Sequence, residues 1–272
     1  MRNGFLGLIL AGGMTVLAFA PLLSAQRAQG GQQQRAAAPA EVKPAPRLPD
    51  GKPDLSGMWG WEPARRGRGG FGLVKLMGDD PPPMRPWAQE RFNAYGEVRT
   101  EASNEVDPTI FCIPYGPGRA WATDRRPIEI VQTRSRVYIH FEVNHDLRRI
   151  YLDGRKMPDG FPPSYMGYST GRWDGDTLVV ETGGFNDLTW IDDRGHPHSE
   201  ALRMEERFRR LNHDTLDIDI RYDDPEAYTR PWTGKVILKW KPDWEIVEHH
   251  LCEDHLLEVH LPQMRVRTIG PH

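Results

Sequence analysis

Residues 171–200 read GRWDGDTLVVETGGFNDLTWIDDRGHPHSE, and no other stretch of the chain indicates the fold so clearly. The first half predicts a β-hairpin, because Asp174-Gly175-Asp176 is a turn sequence between an aromatic-rich run and the β-branched run 177–182. The second half predicts a long loop that carries carboxylates, two histidines and a tryptophan. We therefore expect one hairpin of a larger sheet, followed by a loop with side chains suited to chemistry.

Alternation of apolar and polar residues continues on both sides of this hairpin. The other predicted strands are 128–133, 137–142, 146–152, 201–211, 216–222, 232–240 and 245–252. A helix is the alternative for 199–211, since SEALRMEERFRRL is rich in helix-forming residues. Eight or nine successive strands without long helices between them predict an all-β fold, an antiparallel up-and-down β-barrel, with a β-sandwich as the alternative.

The first 25 residues have the composition of an export signal. Arg2 is followed by an apolar run over 5–23 and by Leu23-Ser24-Ala25, which predicts a cleaved signal peptide at 1–25. An uncleaved membrane anchor is the alternative, because the apolar run is just long enough to span a bilayer. We expect a periplasmic or secreted protein that has no stable membrane anchor after cleavage.

Three further segments follow the predicted signal peptide. Residues 26–49 are mostly Gln, Ala, Pro and Gly, too poor in large apolar side chains to fold, and predict a disordered linker. Residues 50–126 predict an irregular segment, rich in Pro and Gly, that packs on the barrel and contains one helix near 86–95. Residues 127–272 form the predicted barrel.

Charge and cysteine content narrow the class of protein. The formal net charge is −3 and basic residues are scattered among acidic ones, so we expect no nucleic-acid partner. The chain has two cysteines, Cys112 and Cys252, and an even count in an exported chain favours a disulfide between them. Two buried free thiols are the alternative.

His198 is the strongest candidate for acid–base chemistry. Its imidazole titrates near neutral pH, and Glu200 or Asp187 can orient the ring and raise its basicity. We therefore interpret His198, Glu200 and Asp187 as candidate catalytic residues. The alternative is a structural turn in which His198 caps a backbone carbonyl.

A zinc site at the same loop is a weaker interpretation. His196, His198 and Glu200 alternate, so in an extended segment they share a face, and two histidines with a carboxylate form a known zinc ligand set. Pro197 interrupts a flat strand there, and the chain has no nucleotide, phosphate-loop or His-Glu-x-x-His motif. We therefore expect neither a metal nor a cofactor.

Aromatic and polar side chains along the predicted barrel indicate a ligand site. Asn186 and Asp192 offer hydrogen-bond acceptors beside the aromatic plane of Trp190, a combination that suits carbohydrates and polar rings. The candidate ligand-binding residues are Trp173, Asn186, Trp190, Asp192, His140 and Trp232. An Asx turn at Asn186 and a solvated strand face at His140 are the structural alternatives.

Several short motifs also carry a resemblance to a family. They are DLSG with Trp59, CIP at 112–114, EIVQ at 129–132, YLDGR at 151–155, GRWDGDTLVVET, GFND at 184–187 and PHSE at 197–200. Together they resemble an uncharacterised family of exported bacterial β-rich proteins, and the strand rhythm is more loosely similar to lipocalin-like barrels. The resemblance implies export and a β-rich fold, and it carries over no catalytic residue.

Three functions remain compatible with the sequence. The first is binding of a small amphipathic or ring-shaped ligand in an aromatic-lined cavity. The alternative is a cofactor-independent hydrolase, lyase or isomerase that uses the His198 acid–base pair. A structural protein of the cell envelope is the third.

Overall fold

The computed structural model describes residues 42–61, 75–77, 82–99, 107–123 and 126–248. The predicted signal peptide, most of the predicted linker and Cys252 lie outside these ranges, so the disulfide from Cys112 remains a prediction. Within the ranges, no helix is both long and apolar enough to cross a membrane.

Strands dominate the part of the chain that is described. The strands are β1 (Gly57–Trp61), β2 (Lys75–Met77), β3 (Ile128–Gln132), β4 (Arg136–Phe141), β5 (Leu147–Tyr151), β6 (Tyr168–Asp174), β7 (Thr177–Gly183), β8 (Arg203–Asn212), β9 (Thr215–Asp223) and β10 (Trp232–Trp240), and the α-helices are α1 (Pro86–Arg99) and α2 (Gly116–Thr123). Neighbours pair in the order β1-β3-β4-β5-β6-β7-β8-β9-β10, and β10 pairs with β1 again, so nine strands close a barrel. Strand β2 pairs with β10 at the same edge as β1.

The closed barrel confirms the predicted fold class and replaces the sandwich alternative. The prediction of a wholly antiparallel barrel is wrong at one pair, because β5 and β6 run parallel, with Ile150 opposite Ser169. The connection 152–167 returns the chain along the barrel before β6 begins, and a return of this kind makes the next strand parallel.

Two predicted boundaries also differ from the structure. Strand β1 lies inside the segment predicted to be irregular, and it closes the barrel by pairing with both β3 and β10. The strand predicted at 245–252 does not form over 245–248, and the remaining residues of that prediction lie outside the described ranges. The predicted helix near 86–95 is present as α1.

Strand β8 shows why the helix alternative for 199–211 is wrong. Its buried residues alternate, so Met204, Glu206 and Phe208 point into the barrel while Arg203 and Arg207 point outward. A helix would spread these inward side chains around its circumference.

The barrel interior is filled by side chains. Trp121 of α2 is fully buried and meets Phe141 and Phe208 edge to face, at 5.0 and 6.0 Å between ring centroids. Below these rings, Arg148 donates from both terminal nitrogens to the carboxylate of Glu206. These described side chains therefore occupy much of the barrel interior around Trp121 and Arg148.

Candidate functional site

The predicted site loop connects β7 to β8 and lies beneath helix α1. Phe92 of α1 stacks on His196 with ring centroids 4.6 Å apart and planes 11° from parallel. Tyr95, one turn further along the helix, meets Trp190 at 4.0 Å. The two aromatic contacts hold α1 over the loop and cover its histidine.

His196, instead of His198, forms the histidine–carboxylate pair of this loop. The Nδ1–H of His196 donates to Asp192 at 2.6 Å, four residues earlier in the chain. Although burial favours the neutral acid, the hydrogen bonds from the His196 side chain and from the His196 and Arg194 amides hold the pKa of Asp192 below its usual value. His196 is 0% exposed, and its Nε2 has no hydrogen-bond partner among the described residues.

His198 is buried in a structural role. Its Nδ1–H donates to the carbonyl of Ser199 at 3.1 Å, so its Nε2 accepts from the hydroxyl of Thr189 at 2.7 Å. Burial lowers the pKa of His198, which favours this neutral tautomer. Glu200 and Asp187 are exposed and neither hydrogen-bonds to the ring, so the structure does not join the three candidate catalytic residues into one site.

The zinc interpretation fails on geometry. His196 is turned toward Asp192, whereas both ring nitrogens of His198 are occupied by Thr189 and Ser199. Among the residues described, no three His, Cys, Asp or Glu side chains are grouped as a metal ion requires.

Four candidate ligand residues from the loop and β10 have structural partners. Asn186 accepts from the amide of Leu188, which is an Asx turn. Trp190 is buried, with the Arg119 guanidinium 4.8 Å from its ring centroid. Trp232 stacks on Tyr222 at 4.3 Å, and Asp192 is bound to His196.

The remaining two candidates lie away from the loop. Trp173 is half-buried in β6, and the Lys52 ammonium is 5.8 Å from its ring centroid. His140 is half-buried in β4, 6.3 Å from the ring of His145. The six candidate ligand residues therefore do not converge on one cavity.

The outer face of the barrel carries a cavity of about 460 Å³, which we call the outer groove. It lies over β6 to β9, beside the connection 152–167. The charged and aromatic side chains that line it are Arg155, Lys156, Tyr168, Glu181, Arg203, Glu205 and Arg221. Its volume falls in the range of about 300–1,000 Å³ that small-molecule sites occupy.

Strand register places the groove's charges side by side. Glu181 of β7 is directly opposite Glu205 of β8, which is opposite Arg221 of β9. Glu205 accepts from Arg207 at 3.1 Å, and Arg221 donates to Asp223 at 2.8 Å. Glu205 and Arg221 therefore already have oppositely charged partners within the protein.

Three charged groups in the groove have no ionic partner within the described ranges. Lys156 and Glu181 make no hydrogen bond or ion pair there, and Arg203 donates only to the carbonyl of Leu202. All three side chains are exposed. The groove therefore presents two free cations and one free carboxylate to solvent.

Packing against a glycine shapes one wall of the groove. Gly184 has a φ of +69°, and a Cβ there would lie 2.9 Å from the sulfur of Met157 and 3.0 Å from Phe161. Glycine thus allows both the turn after β7 and the close approach of the connection 152–167. Met157 also lines the groove, so this contact fixes its edge.

The sequence interpretation missed the groove because its residues belong to separate strands and one long connection. Glu181, Arg203 and Arg221 occupy outward positions on the neighbouring strands β7, β8 and β9. Charged residues at such positions usually form a face that is exposed to solvent. The only available signal was the pair of carboxylates at Glu181 and Glu205, and their adjacency depends on strand register.

No protein-family model matches the chain, no curated protein is significantly similar to it, and no solved structure matches it.

Proposed function

We propose that this protein binds a small, ring-shaped, anionic ligand in the outer groove. The observation that carries the proposal is a cavity of about 460 Å³ in which Lys156 and Arg203 have no anionic partner among the described residues. A ligand carboxylate or phosphate supplies that partner through charge-assisted hydrogen bonds.

The other lining residues select the rest of the ligand. Tyr168 offers a flat aromatic face, which packs against a ring. The free carboxylate of Glu181 accepts hydrogen bonds from hydroxyl or amine groups. An anionic ring that also carries hydroxyl groups contacts the cations, the Tyr168 ring and the Glu181 carboxylate at once.

Calorimetric titration with glucuronate and 4-hydroxybenzoate tests the proposal. Arg203→Gln is expected to weaken binding by about tenfold, the effect of losing one charged hydrogen bond. Arg134→Gln is the matched control, because Arg134 is an exposed arginine between β3 and β4 with no contact to the groove. Equal binding by the Arg203 variant, or no binding of either compound, would refute the proposal.

A second candidate function is proton transfer by Asp192 and His196. The supporting observation is a histidine ring that Asp192 orients at 2.6 Å while Nε2 has no partner in the described part of the chain. Because Phe92 covers the ring, a substrate reaches it only when α1 moves away.

Turnover of 4-nitrophenyl esters and glycosides tests this second candidate. We expect His196→Gln to abolish turnover and Phe92→Ala to increase it. His198→Gln is the matched control, because the ring of His198 is buried in the same loop as the ring of His196. Full turnover by the His196 variant would exclude the candidate.

We also propose that the chain works in the periplasm or outside the cell, with a disulfide between Cys112 and Cys252. The support is the sequence of residues 1–25 and the even cysteine count. Mass spectrometry of purified protein after alkylation under denaturing, non-reducing conditions tests the disulfide. Alkylation of both cysteines would contradict it.

A further inference from the structure

An aromatic and cationic surface crosses β4 and β5 on the outside of the barrel, and we call it the Arg–Tyr stripe. It consists of Tyr138, Arg149, Arg136 and Tyr151. Strand register pairs Tyr138 with Arg149 and Arg136 with Tyr151. The guanidinium carbons lie 5.9 and 5.5 Å from the facing ring centroids.

Arginine–tyrosine contacts hold the stripe in place. The neighbouring Tyr151 and Tyr138 side chains raise the pKa of Arg149, chiefly through hydrogen bonding with Tyr151, so this guanidinium is charged. Arg149 is exposed and Tyr138 is half-buried, which leaves one cation and part of the Tyr138 ring open to solvent, whereas Tyr151 is covered by its neighbours Arg136, Arg155 and Tyr168. No carboxylate in the described ranges pairs with Arg149 or Arg136.

The stripe continues into the outer groove without a break. Tyr151 stacks on Tyr168 at 5.1 Å with planes 24° apart, and Tyr168 lines the groove. Arg155, which also lines the groove, lies 4.2 Å from the ring centroid of Tyr151. The stripe and groove therefore form one surface that extends from β4 to β9.

This surface is longer than a single small molecule. Neighbouring strands are about 4.8 Å apart, so the distance from β4 to β6 alone is about 10 Å. A ligand confined to the groove leaves the stripe unused, whereas a chain of linked rings covers both regions. Repeated aromatic faces with interspersed cations suit a chain whose units are rings that carry acidic groups.

We infer that the ligand of the groove is one unit of an acidic oligosaccharide, such as a chain of uronic acids, whose next units lie along the Arg–Tyr stripe. The inference rests on the proposed function and names its substrate class. Sugar rings pack on the exposed parts of Tyr138 and Tyr168, and the uronate carboxylates pair with the arginines between them.

Carboxylates on the same surface favour a carbohydrate over a single-stranded nucleic acid. Glu181 and Glu205 accept hydrogen bonds from sugar hydroxyls, which are donors as well as acceptors. A single-stranded DNA backbone has no hydroxyl groups along its length, so it offers these carboxylates no donors there. The mixture of cations and carboxylates fits a chain that carries both hydroxyl and acid groups.

A chain-length series of galacturonate, from monomer to hexamer, tests the inference by calorimetric titration of the full protein. We expect affinity to rise by about tenfold or more from monomer to tetramer, because linked units add contacts without a second cost of association. Arg149→Gln is expected to abolish this gain and leave monomer binding unchanged. Arg203→Gln weakens every member of the series, and Arg134→Gln weakens none.

Each other outcome refutes a defined part of the reasoning. Equal affinity for monomer and hexamer, with no effect of Arg149→Gln, overturns the inference and leaves the groove as a small-molecule site. Equal binding of a neutral cellohexaose removes the role of the acid groups. Binding of a thymidine hexanucleotide with the same dependence on Arg149 assigns the stripe to nucleic acid. If neither uronates nor 4-hydroxybenzoate bind, both the inference and the proposed function fail.

Discussion

Replacement of Glu206 by glutamine is expected to destabilise the barrel by about 3–5 kcal/mol, the cost of leaving a buried charge without its partner. Arg148 and Glu206 are 1% and 0% exposed at their side chains and form a two-pronged ion pair. Glutamine keeps the shape and still accepts from the Trp121 indole N–H, which is 2.7 Å from Oε1. Arg148 retains Ser169 and Thr182, but both are neutral acceptors.

A neighbouring residue provides the matched control. Glu205 precedes Glu206 in β8, points outward and pairs with Arg207 at 3.1 Å. The Glu205 side chain is 35% exposed and the Arg207 side chain is 36% exposed. Glu205→Gln removes the same charge from the surface, where ion pairs contribute about 0–1 kcal/mol. The contrast between the two variants separates burial from charge removal.

Urea unfolding followed by tryptophan fluorescence measures both variants. The double variant Arg148→Met/Glu206→Leu is expected to be more stable than Glu206→Gln, because it removes the unpaired charge with its partner. If Glu206→Gln costs no more than Glu205→Gln, the ion pair does not stabilise the interior and the reasoning is wrong.

Three further predictions concern pH and backbone geometry. Burial raises the pKa of Asp146 to about 6, so the protein loses stability as the pH rises from about 4 to about 6. Asp146→Asn should therefore stabilise the protein by about 1–3 kcal/mol at pH 8 and by nothing at pH 4, and an equal effect at both values in urea titrations would refute this. Burial lowers the pKa of His198, so the wild-type protein should lose stability as the pH falls below about 6.5. His198→Gln should remove that part of the slope, which melting temperatures across pH 5–8 will measure. Gly57 has a φ of +130° and a Cβ there would lie 1.8 Å from the Trp240 ring, whereas Gly51, with a φ of +81°, has open space. Gly57→Ala should cost about 3 kcal/mol or more and Gly51→Ala about 1–2 kcal/mol, and equal losses would show that the Trp240 contact is not decisive.

Local pattern explains most of the correctly predicted elements. The hairpin of β6 and β7 follows from the Asp174-Gly175 turn, which needs no distant partner. Strand β8 was predicted over its helical propensity because inward Met204 and Phe208 alternate with charged residues. Strand β1 was missed because GMWGW is only five residues long, and its partners are far away in β3 and β10.

The candidate site shows the limit of sequence reasoning within one loop. His198 and His196 have similar local chemistry, and the sequence interpretation chose His198 as the acid–base candidate. The turn that brings the His196 amide within 3.2 Å of Asp192 also places its ring on that carboxylate. His198 is instead held by Thr189, a residue that the motif did not single out.

The sequence by itself determined that this chain builds a strand meander with a polar loop after the central hairpin, because alternation and turn residues act over a few neighbouring positions. Only the tertiary structure decided the parallel β5–β6 pair, the filled interior and the outer groove. Those features depend on the path of a long connection and on the register between strands. Arg203 and Glu181 are 22 positions apart in the chain (203 minus 181), and they share a groove because hydrogen bonding aligns β7 with β8.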